Sequence, residues 1–275
     1  MDLVFQATVL GVLQGLTEFL PISSSWHLIV VPKLAGWDDP FLNSAGFDVM
    51  LHAGTLVALI LYFWRDLWRY LAAWLRSIAE RRIGGDPDRR MAWLLLVSVI
   101  PAALLGALFE SFFDTFFREH DAYLVPLMFL GAAILWLADR LGRRDRNLDD
   151  LRLPDAAIIG GAQALALFPG TSRSGITISA GFFLGLNGEA AARFAFLMAV
   201  PVISGAVVWK ARELLGGGLA AGDAAPLLAG FLAAAIAGLI AIRFLLGYLR
   251  GHGLGIFVAY RLVAACVVVI WLLAR

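Results

Sequence analysis

The sequence has little charge, only one cysteine and very few lysines. Of its 275 residues, 16% are charged and 61% are hydrophobic, with a mean hydropathy of +0.82. Because soluble domains have about a quarter charged residues, this composition excludes an ordinary cytosolic or secreted protein. The single cysteine, Cys266, excludes an intrachain disulfide. The net charge of +1 gives no sign of a nucleic-acid partner.

The sequence contains several long apolar runs. A helix needs roughly 20 apolar residues to cross the hydrocarbon core of a membrane. Six runs reach or nearly reach this length, at about 44–64, 91–110, 122–140, 194–210, 226–249 and 255–274. The N-terminus has no basic stretch before its first apolar run, which argues against a removed signal peptide. We therefore predict an all-α integral membrane protein, with residues 1–275 forming a single membrane domain of six transmembrane helices.

Two further apolar segments, around 3–31 and 156–186, are each broken by a proline. The first contains QGLTEFLPISSSWH from Gln14 to His27, and the second contains QALALFPGTSRSG from Gln163 to Gly175. Each runs from a glutamine to a proline and then to a serine three positions later. Irregular backbone is tolerated inside a membrane only where it is buried in protein or lines a wet cavity. The pattern favours two re-entrant helix–loop–helix elements, and a proline-kinked spanning helix is the alternative.

The recurrence of this pattern about 150 positions later predicts an internal repeat, with halves of approximately 1–150 and 151–275. Each half then holds one re-entrant element and three spans. Because three is odd, the second half enters the membrane upside down relative to the first. An inverted-topology repeat of this kind brings its two broken segments together near the midplane.

Arginine placement predicts the orientation. Residues 65–90 hold seven arginines and residues 140–152 hold five. Loops rich in positive charge face the cytoplasm. The connection near 111–121 has only Arg118, so we expect it outside. Both termini and the entrance of the first re-entrant element then also face outward.

The first motif carries ionisable groups in apolar surroundings. Gln14 and Glu18 are four positions apart and share one helix face. A carboxylate in such surroundings must be protonated, paired or metal-bound. Amide and carboxylate oxygens suit Mg²⁺ or Ca²⁺. The serines that follow, with His27 close by, offer a hydroxyl nucleophile and a base to activate it.

The second motif is typical of an anion cradle. Its flanking glycines, Gly170 and Gly175, let backbone N–H groups approach an oxyanion. Ser172 or Ser174 can cap the next helix, whose N-terminus favours phosphate, and Arg173 adds bidentate recognition. A structural cap, with Arg173 reaching the membrane interface, is the alternative. Together the two motifs indicate phosphoryl transfer to water on a lipid with a phosphate or diphosphate head.

At these motifs the chain resembles the undecaprenyl pyrophosphate phosphatase, or bacitracin-resistance, family of bacteria. Shorter similar stretches are Ala199-Val-Pro201 and Ala259-Tyr-Arg261. The resemblance implies a hydrolase that converts undecaprenyl pyrophosphate to undecaprenyl phosphate and phosphate, and so recycles the lipid carrier of peptidoglycan synthesis. It also implies a divalent metal ion (Mg²⁺ or Ca²⁺), a homodimer, and an active site open to the outer side of the cytoplasmic membrane.

The predicted site residues follow from the motifs and from this resemblance. The catalytic set carried over by position is Glu18, Ser24, His27 and Arg173. The residues predicted to contact the substrate are Ser23, Ser25, Gly170, Thr171, Ser172, Ser174, Gly175 and Arg261, and those predicted to hold the metal are Gln14 and Glu18.

In our preferred assignment Ser24 is the nucleophile and His27 is the base and leaving-group acid. A water nucleophile is equally compatible with the sequence. Two positions depart from the family pattern, because Gln14 stands where many members have Glu and Trp26 stands where they have Gly. The ring of Trp26 could narrow the pocket or stack on the substrate. His52 either lines the site or only packs.

A transporter that moves the lipid phosphate without cleaving it is the main alternative function, since broken helices in an inverted repeat are also a transporter architecture.

Overall fold

The structure, a computed structural model, describes residues 2–119, 123–217 and 223–274. In these ranges the chain forms ten α-helices and no β-strand. The helices are α1 (Leu3–Phe19), α2 (Ser24–Ala35), α3 (Ala45–Ala79), α4 (Pro87–Glu119), α5 (Leu124–Leu141), α6 (Leu153–Gln163), α7 (Arg173–Phe183), α8 (Gly188–Gly217), α9 (Ala224–Tyr248) and α10 (Gly255–Leu273).

Six of the helices in the described ranges are long and apolar enough to cross a membrane. These spans are Gly46–Ala79, Pro87–Phe109, Leu124–Leu141, Gly188–Trp209, Ala224–Tyr248 and Gly255–Leu273. The all-α class and the six predicted transmembrane helices are therefore confirmed. Arg118, used in the orientation argument, has a side chain outside the described part of the structure.

The first span is longer than predicted. Helix α3 continues to Ala79 instead of ending near residue 64, so the first arginines of segment 65–90 lie on a helix and not in a loop. Inward-facing residues explain the extension, because Tyr70, Ala73 and Ser77 are buried in this part of α3. The Ser77 hydroxyl also accepts a hydrogen bond from Trp93 Nε1 of α4 at 3.0 Å. Helix α8 likewise begins earlier than predicted.

Both proline-containing segments break their helices. Helix α1 ends at Phe19, and the next residue, Leu20, has an extended backbone (φ −68°, ψ 143°), as expected directly before a proline. Helix α6 ends at Gln163 and is followed by a 3₁₀ turn, Ala164–Leu167. Helices α1 and α2 have 17 and 12 residues, and each is shorter than the roughly 20 that a span needs. The re-entrant path itself stays a prediction.

The two breaks end in the same backbone conformation. Ser23 (φ 75°) directly precedes α2 and Ser172 (φ 71°) directly precedes α7, and both lie in the left-handed region that residues other than glycine rarely adopt. Each of these serines follows its glutamine, Gln14 or Gln163, by nine positions. The equivalent serines in the structure are therefore Ser23 and Ser172, which follow their prolines by two and three positions, because the two segments differ in length between glutamine and proline.

Close helix packing fixes α1 against α9. Gly11 and Gly15 of α1 leave no room for a Cβ, which would overlap backbone atoms of α9 at Gly230 and Ala234. Small residues allow this approach between membrane helices. Helix α6 packs on α4 in the corresponding way. If α1–α5 and α6–α10 are inverted repeats, the contact of α1 with α9 corresponds to the contact of α6 with α4. The division of the chain near residue 150 remains a prediction.

Candidate active site

The two breaks lie against each other. The backbone N–H of Gly170 donates to Ser23 Oγ at 3.2 Å, and the Ser174 hydroxyl donates to the carbonyl of Leu20 at 3.0 Å. These hydrogen bonds connect segments that are far apart in the sequence. They bring the polar residues of both motifs into one site.

Glu18 is the centre of this site. Its Oε2 accepts hydrogen bonds from Ser24 Oγ at 2.6 Å and from Gln14 Nε2 at 3.1 Å. Its Oε1 accepts from Arg173 Nη2 at 2.9 Å, and the side chain is only 6% exposed. Breaking a buried ion pair by removing one partner leaves an uncompensated charge, which is costly. The sequence allows Glu18 to be protonated, paired or metal-bound, and in the structure it is paired with Arg173.

Gln14 keeps one polar atom free. The residue is fully buried, and its Oε1 has no hydrogen-bond partner among the described residues. A buried acceptor without a partner is uncommon in folded proteins. The free oxygen belongs to the amide whose Nε2 contacts Glu18, so it is the amide nitrogen, and not this oxygen, that faces the carboxylate.

His27 does not contact the Ser24 hydroxyl. Its Nδ1 is 2.6 Å from the carbonyl oxygen of Ser23, which can only accept, and its Nε2 is 2.7 Å from the hydroxyl of Tyr260. Both ring nitrogens are engaged and the residue is buried. The structure therefore does not form the Ser24–His27 pair of the preferred assignment, and the Ser24 hydroxyl donates to the Glu18 carboxylate instead.

The position of Trp26 explains the orientation of His27. The indole packs edge-on against the His27 ring at 4.9 Å and lies in a buried cluster with residues of α5 and α10, including Met128 and Ala265. Packing of α2 against these two helices turns His27 toward α10. The Trp26 ring fills space between helices instead of facing the site, and α2 remains helical there.

Arg173 is the first residue of α7 and points to the first motif. Its Nη1 is buried and has no partner in the described part of the chain, so it is free to donate to an anion. The alternative in which Arg173 reaches the membrane interface is not what the structure contains. The predicted cap is confirmed, because Ser172 Oγ accepts a hydrogen bond from the N–H of Gly175 at 3.1 Å.

Most hydroxyls of the second motif hold the turn together. Thr171 donates to the carbonyls of Leu165 and Phe168, and Ser172 Oγ is 3.1 Å from Ser174 Oγ. These side chains are buried, so the structure uses them as supports for the cradle. In the first motif Ser23 is buried, Ser24 is half-buried and Ser25 is exposed. Ser24 and Ser25 are thus the serines of that motif that an incoming ligand can reach.

Arg261 lies beneath the two breaks and not on their open side. It is fully buried, and its guanidinium donates to the carbonyls of Pro21, Met128, Gly170 and Thr171. The sequence predicts contact with the substrate head, but these donors point to backbone carbonyls, three of them in the irregular turns and one, that of Met128, in helix α5. Arg261 therefore connects the two motifs by hydrogen bonds to carbonyls of both, and we call this set of hydrogen bonds the Arg261 clamp.

His52 of α3 completes the surroundings of Glu18. Its Nε2 is 4.0 Å from Glu18 Oε2, and its side chain is 38% exposed. The sequence left open whether His52 lines the site or only packs, and the structure places it at the site. Tyr260 was not predicted, although it stands beside Arg261 in a stretch that resembles the family.

Comparison with known proteins identifies the family of the chain. A sequence model of the family described as "Bacitracin resistance protein BacA" matches residues 7–267. A protein of Moorella thermoacetica named undecaprenyl-diphosphatase is 47% identical, and the alignment covers 99% of each chain. Proteins with the same name from Rubrobacter xylanophilus (44% identical, 98% of each chain) and Pelobacter propionicus (43% identical, 97% of this chain and 96% of the relative) are similar over comparable lengths. The chain therefore belongs to the bacitracin resistance protein BacA family, as its two proline-interrupted motifs predict.

Proposed function

We propose that this multi-pass membrane protein is an undecaprenyl-diphosphatase. It hydrolyses the phosphoric anhydride bond of undecaprenyl diphosphate and yields undecaprenyl phosphate and inorganic phosphate, which returns the lipid carrier to peptidoglycan synthesis. The observation that carries the proposal is the contact of Ser24, Glu18 and Arg173 where two broken apolar helices meet. Full-length relatives that bear this name support the choice of substrate.

Ser24 and Glu18 perform the first step in this proposal. Glu18 takes the Ser24 proton across the 2.6 Å hydrogen bond while Oγ attacks the terminal phosphorus. The new Oγ–P bond replaces the bond from phosphorus to the bridging oxygen, and undecaprenyl phosphate leaves. Water then attacks the phosphorus of the phosphoserine, the Oγ–P bond breaks, Oγ regains its proton from Glu18, and phosphate is released. A water molecule activated directly by Glu18 is the alternative nucleophile. Positioning of such groups and neutralisation of charge supply most of the rate in phosphoryl transfer.

Arg173 and the start of α7 neutralise the phosphate. The free Nη1 of Arg173 donates to a non-bridging oxygen, while Nη2 keeps its bond to Glu18. The N-terminus of α7 adds the favourable end of a helix dipole. His27 supports the turn through the Ser23 carbonyl and is not assigned a proton-transfer role.

A divalent cation fits beside these groups. Gln14 Oε1 is a buried acceptor without a partner among the described residues, and a half-turn of the amide, which now donates through Nε2, would bring this oxygen to the Glu18 carboxylate. The described ranges contain no group of three or more His, Cys, Asp or Glu residues that could hold a metal. Gln14 and Glu18 would therefore hold Mg²⁺ or Ca²⁺ together with water and substrate oxygens. A bound ion would supply positive charge to the diphosphate.

A carboxylate at position 14 should strengthen cation binding. We expect Gln14→Glu to tighten Ca²⁺ binding by about 10-fold, because charge is added where the amide oxygen now stands. Isothermal titration of the purified protein measures this affinity. Gln6→Glu, on the same helix and away from Glu18, is the matched control and should leave the affinity unchanged. Equal affinities for the Gln14→Glu variant and the wild type would contradict the cation site.

We further propose that the site opens to the outer face of a bacterial cytoplasmic membrane and that the protein forms a homodimer. The arginines of segments 65–90 and 140–152 support this orientation, because positive charge is retained on the cytoplasmic side.

The test is phosphate release from undecaprenyl diphosphate by the purified full chain in detergent, with Mg²⁺, with Ca²⁺ and with EDTA. We expect metal-dependent release that Ser24→Ala abolishes. Ser98→Ala is the matched control, because Ser98 is buried on α4 and its hydroxyl donates to the carbonyl of Leu95 in the same helix. Folded protein that binds the lipid but releases no phosphate would contradict the enzyme and favour a transporter.

A further inference from the structure

His52 is the histidine beside Glu18 whose Nε2 makes no hydrogen bond to the backbone. Three histidines lie in the described ranges. Both nitrogens of His27 are engaged, and His252 bonds to Tyr248 just after α9, away from the two motifs. His52 has one ring nitrogen bonded to the backbone and the other directed toward Glu18. The mechanism proposed above assigns no role to His52.

The backbone fixes the form of the His52 ring. Its Nδ1 is 2.8 Å from the carbonyl oxygen of Asp48. Because a carbonyl only accepts hydrogen bonds, Nδ1 donates to it, and Nε2 is the ring nitrogen that faces the site. A histidine that binds a metal almost always donates its other N–H to a carbonyl, a carboxylate or water in this way.

The distances around Nε2 suit one ion. His52 Nε2 and Glu18 Oε2 are 4.0 Å apart. Two ligands that each lie about 2.1 Å from one ion are about 3.4 Å apart at a tetrahedral angle and about 4.2 Å apart on opposite sides of the ion, so this pair fits nearly opposite positions around it. The side chain of His52 is 38% exposed and Glu18 is buried, so an ion can enter from the side of His52.

Gln14 supplies an independent sign of a ligand. Its Oε1 is fully buried and lacks a partner in the described part of the protein, while Nε2 of the same amide donates to Glu18. Rotation of the amide by half a turn exchanges the two atoms and presents the oxygen to Glu18. This rotation ends the hydrogen bond between Gln14 and Glu18, and a cation between the two facing oxygens would replace it as the partner of Oε1.

We propose that His52 Nε2 is the nitrogen ligand of a divalent cation site completed by Glu18 and Gln14. The inference deepens the cation site of the proposed phosphatase and rests on it. Imidazole suits Mn²⁺, Co²⁺ and Zn²⁺, whereas Mg²⁺ and Ca²⁺ prefer oxygen. The site therefore binds a transition-series divalent ion more tightly than Mg²⁺ or Ca²⁺, and His52 determines this preference.

The experiment is Mn²⁺ binding to the purified full chain, followed by electron paramagnetic resonance. We expect one bound Mn²⁺ with a ¹⁴N coupling from a directly bound nitrogen. His52→Ala should abolish the coupling and weaken Mn²⁺ binding by about 10-fold or more. His52→Gln keeps an oxygen ligand, so it should bind Mn²⁺ without the coupling and lose the preference for Mn²⁺ over Ca²⁺. His252→Ala is the matched control and should behave as the wild type.

The outcomes separate this inference from the proposed function. Bound Mn²⁺ without ¹⁴N coupling, or a coupling that persists in His52→Ala, would overturn the role of His52, and phosphate release would continue to support the phosphatase. Release that is insensitive to EDTA, together with no Mn²⁺ binding by the wild type, would overturn the cation site and leave the Ser24–Glu18 mechanism. Absence of release with intact ¹⁴N coupling would overturn the phosphatase while keeping the site.

Discussion

Replacement of Glu18 by glutamine is expected to lower the rate of phosphate release by about a thousandfold, within the range that a general base contributes. The amide has nearly the shape of the carboxylate but cannot take the Ser24 proton. It also leaves the buried guanidinium of Arg173 without its counter-charge. Steady-state release of phosphate from undecaprenyl diphosphate measures the effect, with turnover number and KM determined separately.

A second glutamate serves as the control for this substitution. Glu189 at the start of α8 pairs with Arg250 on the surface, at 2.7 Å. We expect Glu189→Gln to keep the wild-type rate, because exposed ion pairs contribute little. A Glu18→Gln protein that retains a rate close to that of the control would rule out Glu18 as the base and require a different activator for Ser24.

Loss of the Arg261 guanidinium should have the largest effect on stability. Arg261→Met would leave the carbonyls of Pro21, Met128, Gly170 and Thr171 without this donor in a buried place. Each unsatisfied buried group costs about 1–3 kcal/mol, so we expect several kcal/mol in total. The loss is measured as a lower apparent melting temperature in detergent, followed by near-ultraviolet circular dichroism.

Two further variants test the explanation. Arg261→Lys keeps the charge but has fewer donors in a different geometry, so it should recover part of the melting temperature. Arg243→Met on α9 removes an arginine whose side chain is exposed on a span, and it should change the melting temperature little. Equal melting temperatures for Arg261→Met and the wild type would contradict the clamp.

Features that depend on local sequence were predictable. The apolar runs predict the six spans because a helix inside a membrane must be apolar over its length. Pro21 and Pro169 predict the two breaks. Glu18 was predicted to be central because a carboxylate in apolar surroundings requires a partner, and Arg173 of the second motif is that partner.

Features that depend on packing between distant segments were not predictable. His27 was assigned to Ser24 because the two are close in sequence, but packing of Trp26 against α5 and α10 turns the imidazole toward Tyr260. Arg261 was assigned to the substrate because a charge in a span suggests function. Its partners are backbone carbonyls, which no sequence pattern reveals. The length of α3 was underestimated because its arginines alternate with buried residues.

The hydrogen bonds of Arg261 also determine when the site can form during synthesis. The turn at Pro21 and Ser23 is made early, yet its partners Gly170 and Arg261 follow in the second half of the chain and in the final helix. Ser23 holds a backbone conformation that costs about 1–3 kcal/mol unless its surroundings compensate. In a nascent chain the N-terminal turn therefore lacks these partners while the eight helices α2 to α9 are made, and the Arg261 hydrogen bonds that join the two motifs form only after α10 is inserted.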